Sequence, residues 1–271
     1  MIPFRNVIVC HMEPGSENHV GGTFGHYDAI TRPQDLGVIG RYLLSHDDLY
    51  IHVIERKQDP EVSGQRRGLP AFQKIAEEIG PYVTPYPSYW TNPSHSVAKP
   101  FYSWTREPQD LEQLTLDDIT SGKTQLTVIV QRMKPGSEAD IARVFTESDA
   151  GSLPADLGVV GRWLYSIEDV FVHLLEQDAE MAAATRGRHN GQPAFKKVME
   201  GLAPFVSPYR PEGWQTPRDS MAHVFYRWQA PDWGSPPPAE PVEAGAGSWG
   251  GGQSSGSWGG QSSGGSWGGQ G

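Results

Sequence analysis

An arginine and a histidine stand in the same relation twice along this chain. Arg41 and His52 flank the turn-forming pair His46-Asp47, and Arg162 and His173 flank Ile167-Glu168. A hairpin closed there sets Arg41 opposite His52, with Cβ atoms about 5 Å apart on one sheet face, and Arg162 opposite His173 in the same way. A carboxylate precedes each pair, Asp28 in the first and Asp149 in the second; His26 lies near Asp28, and Glu147 takes its place near Asp149. A cation, an imidazole and a carboxylate around one space suit proton abstraction beside a carbonyl. The base takes the proton while the arginine stabilises the developing enolate. Two readings fit: an Arg–Asp pair that only closes the space between helix and sheet, or a pocket for an oxygen-rich substrate.

Around this core, Tyr50 and the arginines Arg67 and Arg188, which stand shortly before Pro70-Ala-Phe72 and Pro193-Ala-Phe195, are expected to bind substrate. Tyr102, Trp104, Tyr226 and Trp228 read as core or interface aromatics, and His11 and His46 as surface or loop residues. His95, His189 and His223 lack metal-ligand spacing. One cysteine, Cys10, excludes an internal disulfide and a cysteine-based zinc site. No Gly-rich phosphate loop and no nucleophile elbow is present. These residues point to an enzyme without metal or cofactor, or to a binding module.

The elements that must position these residues come in two copies. Val7-Ile-Val-Cys-His-Met-Glu-Pro-Gly-Ser-Glu17 matches Val128-Ile-Val-Gln-Arg-Met-Lys-Pro-Gly-Ser-Glu138, and Tyr50-Ile-His-Val-Ile-Glu55 matches Phe171-Val-His-Leu-Leu-Glu176. Phe101-Tyr-Ser-Trp104 matches Phe225-Tyr-Arg-Trp228. The chain therefore divides into copy one at 1–106, a linker at 107–123, copy two at 124–231 and a tail at 232–271. Each copy reads β-α-β-β-α-β. The first helix places Val20, Phe24 and Tyr27 on one face, and the second places Phe72, Ile75, Ala76 and Ile79 there, echoed by Phe195, Val198, Met199 and Leu202. That order predicts a ferredoxin-like α+β domain with both helices on one side of an antiparallel sheet. The other side needs cover, and two tethered copies supply it, as a pseudo-dimeric α+β barrel.

The tail holds 14 of the 32 glycines between 234 and 271, with Trp249, Trp258 and Trp267 at nine-residue intervals; such a segment has almost nothing to pack and is expected to be disordered. A net charge of −10 argues against a nucleic-acid surface and against an anionic membrane. The first ten residues lack the apolar stretch of a signal peptide, so a cytoplasmic protein is expected.

Together the motifs Leu36-Gly-Val-x-x-Arg41, Asp48-Leu-Tyr-x-His52-x-x-Glu55, Pro70-x-Phe72, Thr84-Pro-Tyr86 and Phe101-Tyr-Ser-Trp104 resemble the small aromatic polyketide cyclases of the tetracenomycin-cyclase type. Copy two repeats the resemblance with Leu157-Gly-Val-x-x-Arg162, Asp169-Val-Phe-x-His173-x-x-Glu176, Ser207-Pro-Tyr209 and Phe225-Tyr-Arg-Trp228. The resemblance implies a dimerising ferredoxin-like fold and cofactor-independent, aldol-type ring closure of a poly-β-ketone or partly cyclised intermediate. It also implies a pocket in each copy, with His26, Asp28, Arg41 and His52 catalytic in copy one and Asp149, Arg162 and His173 in copy two. In this reading His26 or Asp28 is the base, Arg41 polarises the attacked carbonyl and His52 donates a proton. Copy one is expected to be the main site, because Glu147 replaces His26. The expected partner is a polyketide, with a synthase complex as its candidate donor, and the chain is expected to be a monomer with an internal pseudo-dimer. Rival readings are a cofactor-free monooxygenase acting on a polyphenol and a non-catalytic polyketide-binding module.

Overall fold

The computed structural model describes residues 3–57, 70–106, 123–185 and 192–230. Linker residues 107–122, the tail, Arg67 and Arg188 lie outside the described residues. Copy one comprises β1 (Phe4–Met12), α1 (Glu17–Ile30), β2 (Val38–His46), β3 (Leu49–Arg56), α2 (Pro70–Ile79), β4 (Val83–Pro85) and β5 (Lys99–Thr105). Copy two comprises β6 (Thr124–Met133), α3 (Glu138–Asp149), α4 (Leu153–Asp156), β7 (Val159–Ile167), β8 (Val170–Asp178), α5 (Ala179–Thr185), α6 (Pro193–Leu202), β9 (Val206–Pro208) and β10 (His223–Gln229).

The chain order is the expected one, with one extra short strand in each copy and two extra short helices, α4 and α5, in copy two. The difference lies in where the last strand goes. The two sheets run β10-β2-β3-β1-β4 and β5-β7-β8-β6-β9, so each copy's last strand completes the other copy's sheet. The physical reason is edge occupancy. β4 pairs with β1 through Cys10↔Pro85, His11↔Thr84 and Met12↔Val83, and this fills the edge where a ferredoxin-like last strand would dock. The open edge of β2 is instead covered by β10, from His223↔Ser45 to Gln229↔Gly40. The edges move outward to β4 and β10 in one sheet and to β9 and β5 in the other, and the three-residue β4 and β9 are too short to template much further pairing.

Alternation along each strand separates two faces. Val7, Val9, Leu44 and Ile51 turn toward Val130, Val172 and other residues of copy two, and one apolar cluster spans both sheets. The sheets thus pack face to face, as expected. The opposite face of sheet one packs Cys10, Leu43 and Tyr50 against Val20, Phe24 and Tyr27 of α1. Its counterpart packs Leu164 and Phe171 against Ile141 and Phe145 of α3. The second helices are only partly buried: Ile75 is 8% exposed but Phe72 is 54% exposed, and Met199 is 37% exposed. The expected face of α2 is therefore corrected at Phe72. In copy two the same face, with Phe195, Val198 and Met199, borders a cavity, while Val198 also packs against the core beneath α3.

One polar cluster sits between the sheets. Arg5 Nη2 reaches Glu55 Oε1 and Glu176 Oε2, each at 2.8 Å, and its guanidinium lies 4.3 Å from the centroid of the Trp163 ring. Gly40 makes room for this, since a Cβ there would meet Glu55 Oε2 at 2.6 Å.

Candidate active site

The hairpin register places the site residues. His46 pairs with Leu49, so the turn is Asp47-Asp48, with Asp47 at φ 54°. Arg41 pairs with Ile54 and His52 with Leu43, which corrects the expected Arg41–His52 pair by two residues. In copy two Arg162 pairs with Leu175 and His173 with Leu164. A two-residue shift keeps both side chains on one face as diagonal neighbours, within reach of a long side chain. That face is the one covered by the first helix, whose last turns carry Asp28 and Asp149, both buried.

In copy one, Arg41 Nη2 lies 3.3 Å from Asp28 Oδ1. The Tyr226 hydroxyl, from the exchanged strand β10, donates to Asp28 Oδ2 at 2.8 Å. Arg41 also sits over the rings of Phe24 and Trp228, at 5.3 and 5.8 Å. Around this pair, the buried Arg41 Nε, His52 Nε2 and Tyr50 hydroxyl have no hydrogen-bond partner among the described residues.

Copy two closes the same constellation more tightly. Arg162 Nε donates to Asp149 Oδ2 at 3.0 Å, and the Tyr102 hydroxyl, from β5, donates to the same oxygen at 2.9 Å. Arg162 Nη1 lies 2.9 Å from His173 Nε2. A guanidinium only donates, so His173 Nε2 accepts and its proton is on Nδ1. Asp149 Oδ1 is left buried without a partner among the described residues.

Burial sets the electrostatics. His52 is held well below the usual histidine range, first by burial and then by Arg41 and Arg56. His173 is lowered by burial and Arg162. Both imidazoles are neutral near pH 7. Asp28 and Asp149 are raised by burial, against the opposing pull of Arg41 with Tyr226 and of Arg162 with Tyr102. The Tyr102 phenol is pushed up to about 12, mainly by burial and by Asp149, and stays a donor.

The copy-two cluster opens onto a cavity of about 740 Å³. Arg162 and His173 form part of a wall otherwise rich in side chains such as Phe145, Leu153, Phe171 and Trp214. This is the size and character of a small-molecule pocket, apolar with a few convergent polar groups.

The structure thus brings together Asp28, Arg41, His52 and Tyr50 in one copy and Asp149, Arg162 and His173 in the other. It does not bring His26 to them. His26 is exposed and contacts Tyr27 edge-on, at 5.1 Å. Glu147 is also exposed, and pairs with Arg143 at 3.6 Å and Lys197 at 3.8 Å. Residues two apart on a helix face different ways, so neither can share the pocket of the aspartate two positions on. His46, expected on the surface, is buried at 8% exposure beside Tyr209. His11 is half-exposed and lies 3.2 Å from Asp48. The residues missed by sequence reasoning are Tyr226 and Tyr102. Their signal was the repeated Phe-Tyr-x-Trp strand, whose tyrosines were assigned to core or interface.

Two stretches of the chain, 4–105 and 125–229, each match the family described as polyketide synthesis cyclase. The chain belongs to that family. Among its relatives, an uncharacterised protein of Streptomyces coelicolor is 51% identical over 104 residues, 38% of this chain and 93% of that protein. The tetracenomycin F2 cyclase of Streptomyces glaucescens is 39% identical over 103 residues, 38% of this chain and 94% of the cyclase. A solved structure of that type-II polyketide cyclase aligns at 33% identity with a TM-score of 0.37, over 40% of this chain and 99% of that one. These relatives have the length of a single copy, whereas this polyketide cyclase family member carries two. No helix among its described residues is long and apolar enough to cross a membrane.

Proposed function

We propose that this chain is an aromatic polyketide cyclase that closes a ring of a poly-β-ketone, or of a partly cyclised intermediate, by intramolecular aldol condensation without a cofactor. The observation that carries this reading is the buried Arg–Asp–Tyr cluster with a neutral histidine beside it, which in copy two opens onto an apolar cavity. Membership of the polyketide synthesis cyclase family supports it.

The chemistry follows from which atoms are free. A methylene between two carbonyls is acidic enough for a weak base. In copy one that base is His52 Nε2, buried and unpartnered, with Asp28 holding Arg41 in place. Arg41, through its free Nε, stabilises the enolate oxygen. The enolate carbon then attacks a second carbonyl of the same chain, and the proton taken by His52 returns to the new alkoxide. Loss of water completes the ring. Holding a flexible chain in one reactive conformer contributes up to about 7–11 kcal/mol. In copy two, Arg162 and His173 satisfy each other, and the free acceptor is Asp149 Oδ1. Copy one is therefore the main ring-closing site; the basis is this difference rather than His26.

The chain acts as a monomer, because its two sheets cover each other's apolar faces within one chain. It works in the cytoplasm on a polyketide delivered by its synthase. The test is mass spectrometry of a host making the polyketide, with and without this chain. The expected result is a single cyclised product in its presence. An unchanged product mixture would overturn the reading.

A further inference from the structure

The Arg–His clusters of the two copies differ at a matched position of the third strand, Tyr50 in copy one and Phe171 in copy two. Both residues begin the same run of the third strand, and both face the first helix. Phe171 lines the copy-two cavity. Tyr50 is 2% exposed, its ring centroid lies 6.1 Å from that of His52, and its hydroxyl has no partner among the described residues. Burying a hydroxyl without a partner is costly, and the twin position shows that phenylalanine fits the fold without that cost. Burial holds the phenol well above its ordinary value, so it remains a hydrogen-bond donor.

We propose that the Tyr50 hydroxyl donates a hydrogen bond to a substrate oxygen held beside Arg41 and His52 in copy one, and that Phe171 makes the copy-two cavity select a substrate face without an oxygen there. This rests on the cyclase reading. A poly-β-ketone carries an oxygen on every second carbon. A chain whose reacting carbonyl meets Arg41 therefore brings further oxygens past the neighbouring wall, and each needs a donor once water is excluded. Copy one supplies one through Tyr50, beside Arg41 Nε and His52 Nε2. Copy two supplies an aromatic ring face instead, suited to a ring already closed or to a part of the chain that has lost its oxygen.

The test uses the full chain and rhein, a dihydroxyanthraquinone carboxylate, with anthracene carboxylate as the probe without ring oxygens. Binding is measured by calorimetry for the wild type, Tyr50→Phe and Phe171→Tyr, and each is melted. Tyr50→Phe is expected to weaken rhein at the tighter site about fivefold, the loss of one hydrogen bond. It should leave anthracene carboxylate unchanged and raise the melting temperature. Phe171→Tyr should strengthen rhein at the weaker site. Unchanged rhein affinity in Tyr50→Phe, an equal loss for both probes, or a lowered melting temperature would overturn the proposal. A wild-type chain that shows these binding differences but closes no ring would overturn the cyclase reading and support this one.

Discussion

The Tyr226 hydroxyl donates to Asp28 across 198 residues of chain, at 2.8 Å. Tyr102 makes the reciprocal bond to Asp149 at 2.9 Å. Each Arg–Asp cluster is thus completed by a strand from the other copy, and neither is whole in one copy alone. Tyr226→Phe leaves a buried carboxylate oxygen without its donor. It is expected to destabilise the chain by about 1–3 kcal/mol and to impair copy one more than copy two. Urea unfolding and product analysis check this; unchanged stability and turnover would mean that the contact is incidental.

Arg5 predicts a larger effect. Its side chain is 3% exposed, between Glu55 at 14% and Glu176 at 7%. The corresponding residue of copy two is Leu126, so one cation serves both glutamates. Arg5→Met leaves two carboxylates buried together and is expected to cost about 3–5 kcal/mol. Adding Glu55→Gln and Glu176→Gln should restore part of that. A single variant as stable as the wild type would show that the cluster is well solvated.

The neutral histidines make stability depend on pH. His52, His173 and His46 all have folded values below the ordinary 6.5, mainly through burial. Between those values and about 6.5 the unfolded chain binds more protons. Stability is therefore complete above about pH 6.5 and falls as the pH drops through that window, by up to about 1.4 kcal/mol per pH unit for each histidine. Asp28 and Asp149, raised above 3.8, act in the opposite sense: their contribution is present below 3.8 and is lost as pH rises through their folded values. Melting curves at about pH 7.5 and about pH 5.5 should show the fall, and a His52→Gln, His173→Gln double variant should flatten it. An equal slope in that variant would contradict the account.

His26 separates the two descriptions of the pocket. It is exposed on the outer side of α1, so His26→Ala should retain turnover within about twofold, whereas a lost general base costs about 10²–10⁴-fold. A loss on that scale would put His26 back among the catalytic groups.

Much of this was legible in the sequence because the repeat doubles every signal. The shared face of Arg41 and His52 survived a misplaced turn, since moving the turn from His46-Asp47 to Asp47-Asp48 shifts the register by two and a strand's faces alternate by one. The strand exchange was not legible: β5 and β10 carry the same Phe-Tyr-x-Trp motif, and nothing in it says which sheet it joins. His26 misled because nearness in sequence is not nearness on a helix. Phe72 misled because helical spacing groups it with Ile75 and Ile79, yet at the start of α2 it is 54% exposed.

The central claim is ring closure by the buried arginine and histidine, chiefly in copy one. The most direct measurement supplies the purified chain with a poly-β-ketone released by its synthase and follows products by mass spectrometry. Arg41→Ala with His52→Ala is compared with Arg162→Ala with His173→Ala, each pair checked for fold by circular dichroism. The wild type should convert the spontaneous mixture to one dehydrated ring product. The copy-one pair should lose at least about a hundredfold in rate, and the copy-two pair should keep most of it. A wild-type chain that leaves the spontaneous mixture unchanged, or a copy-one pair as fast as the wild type, would contradict the account.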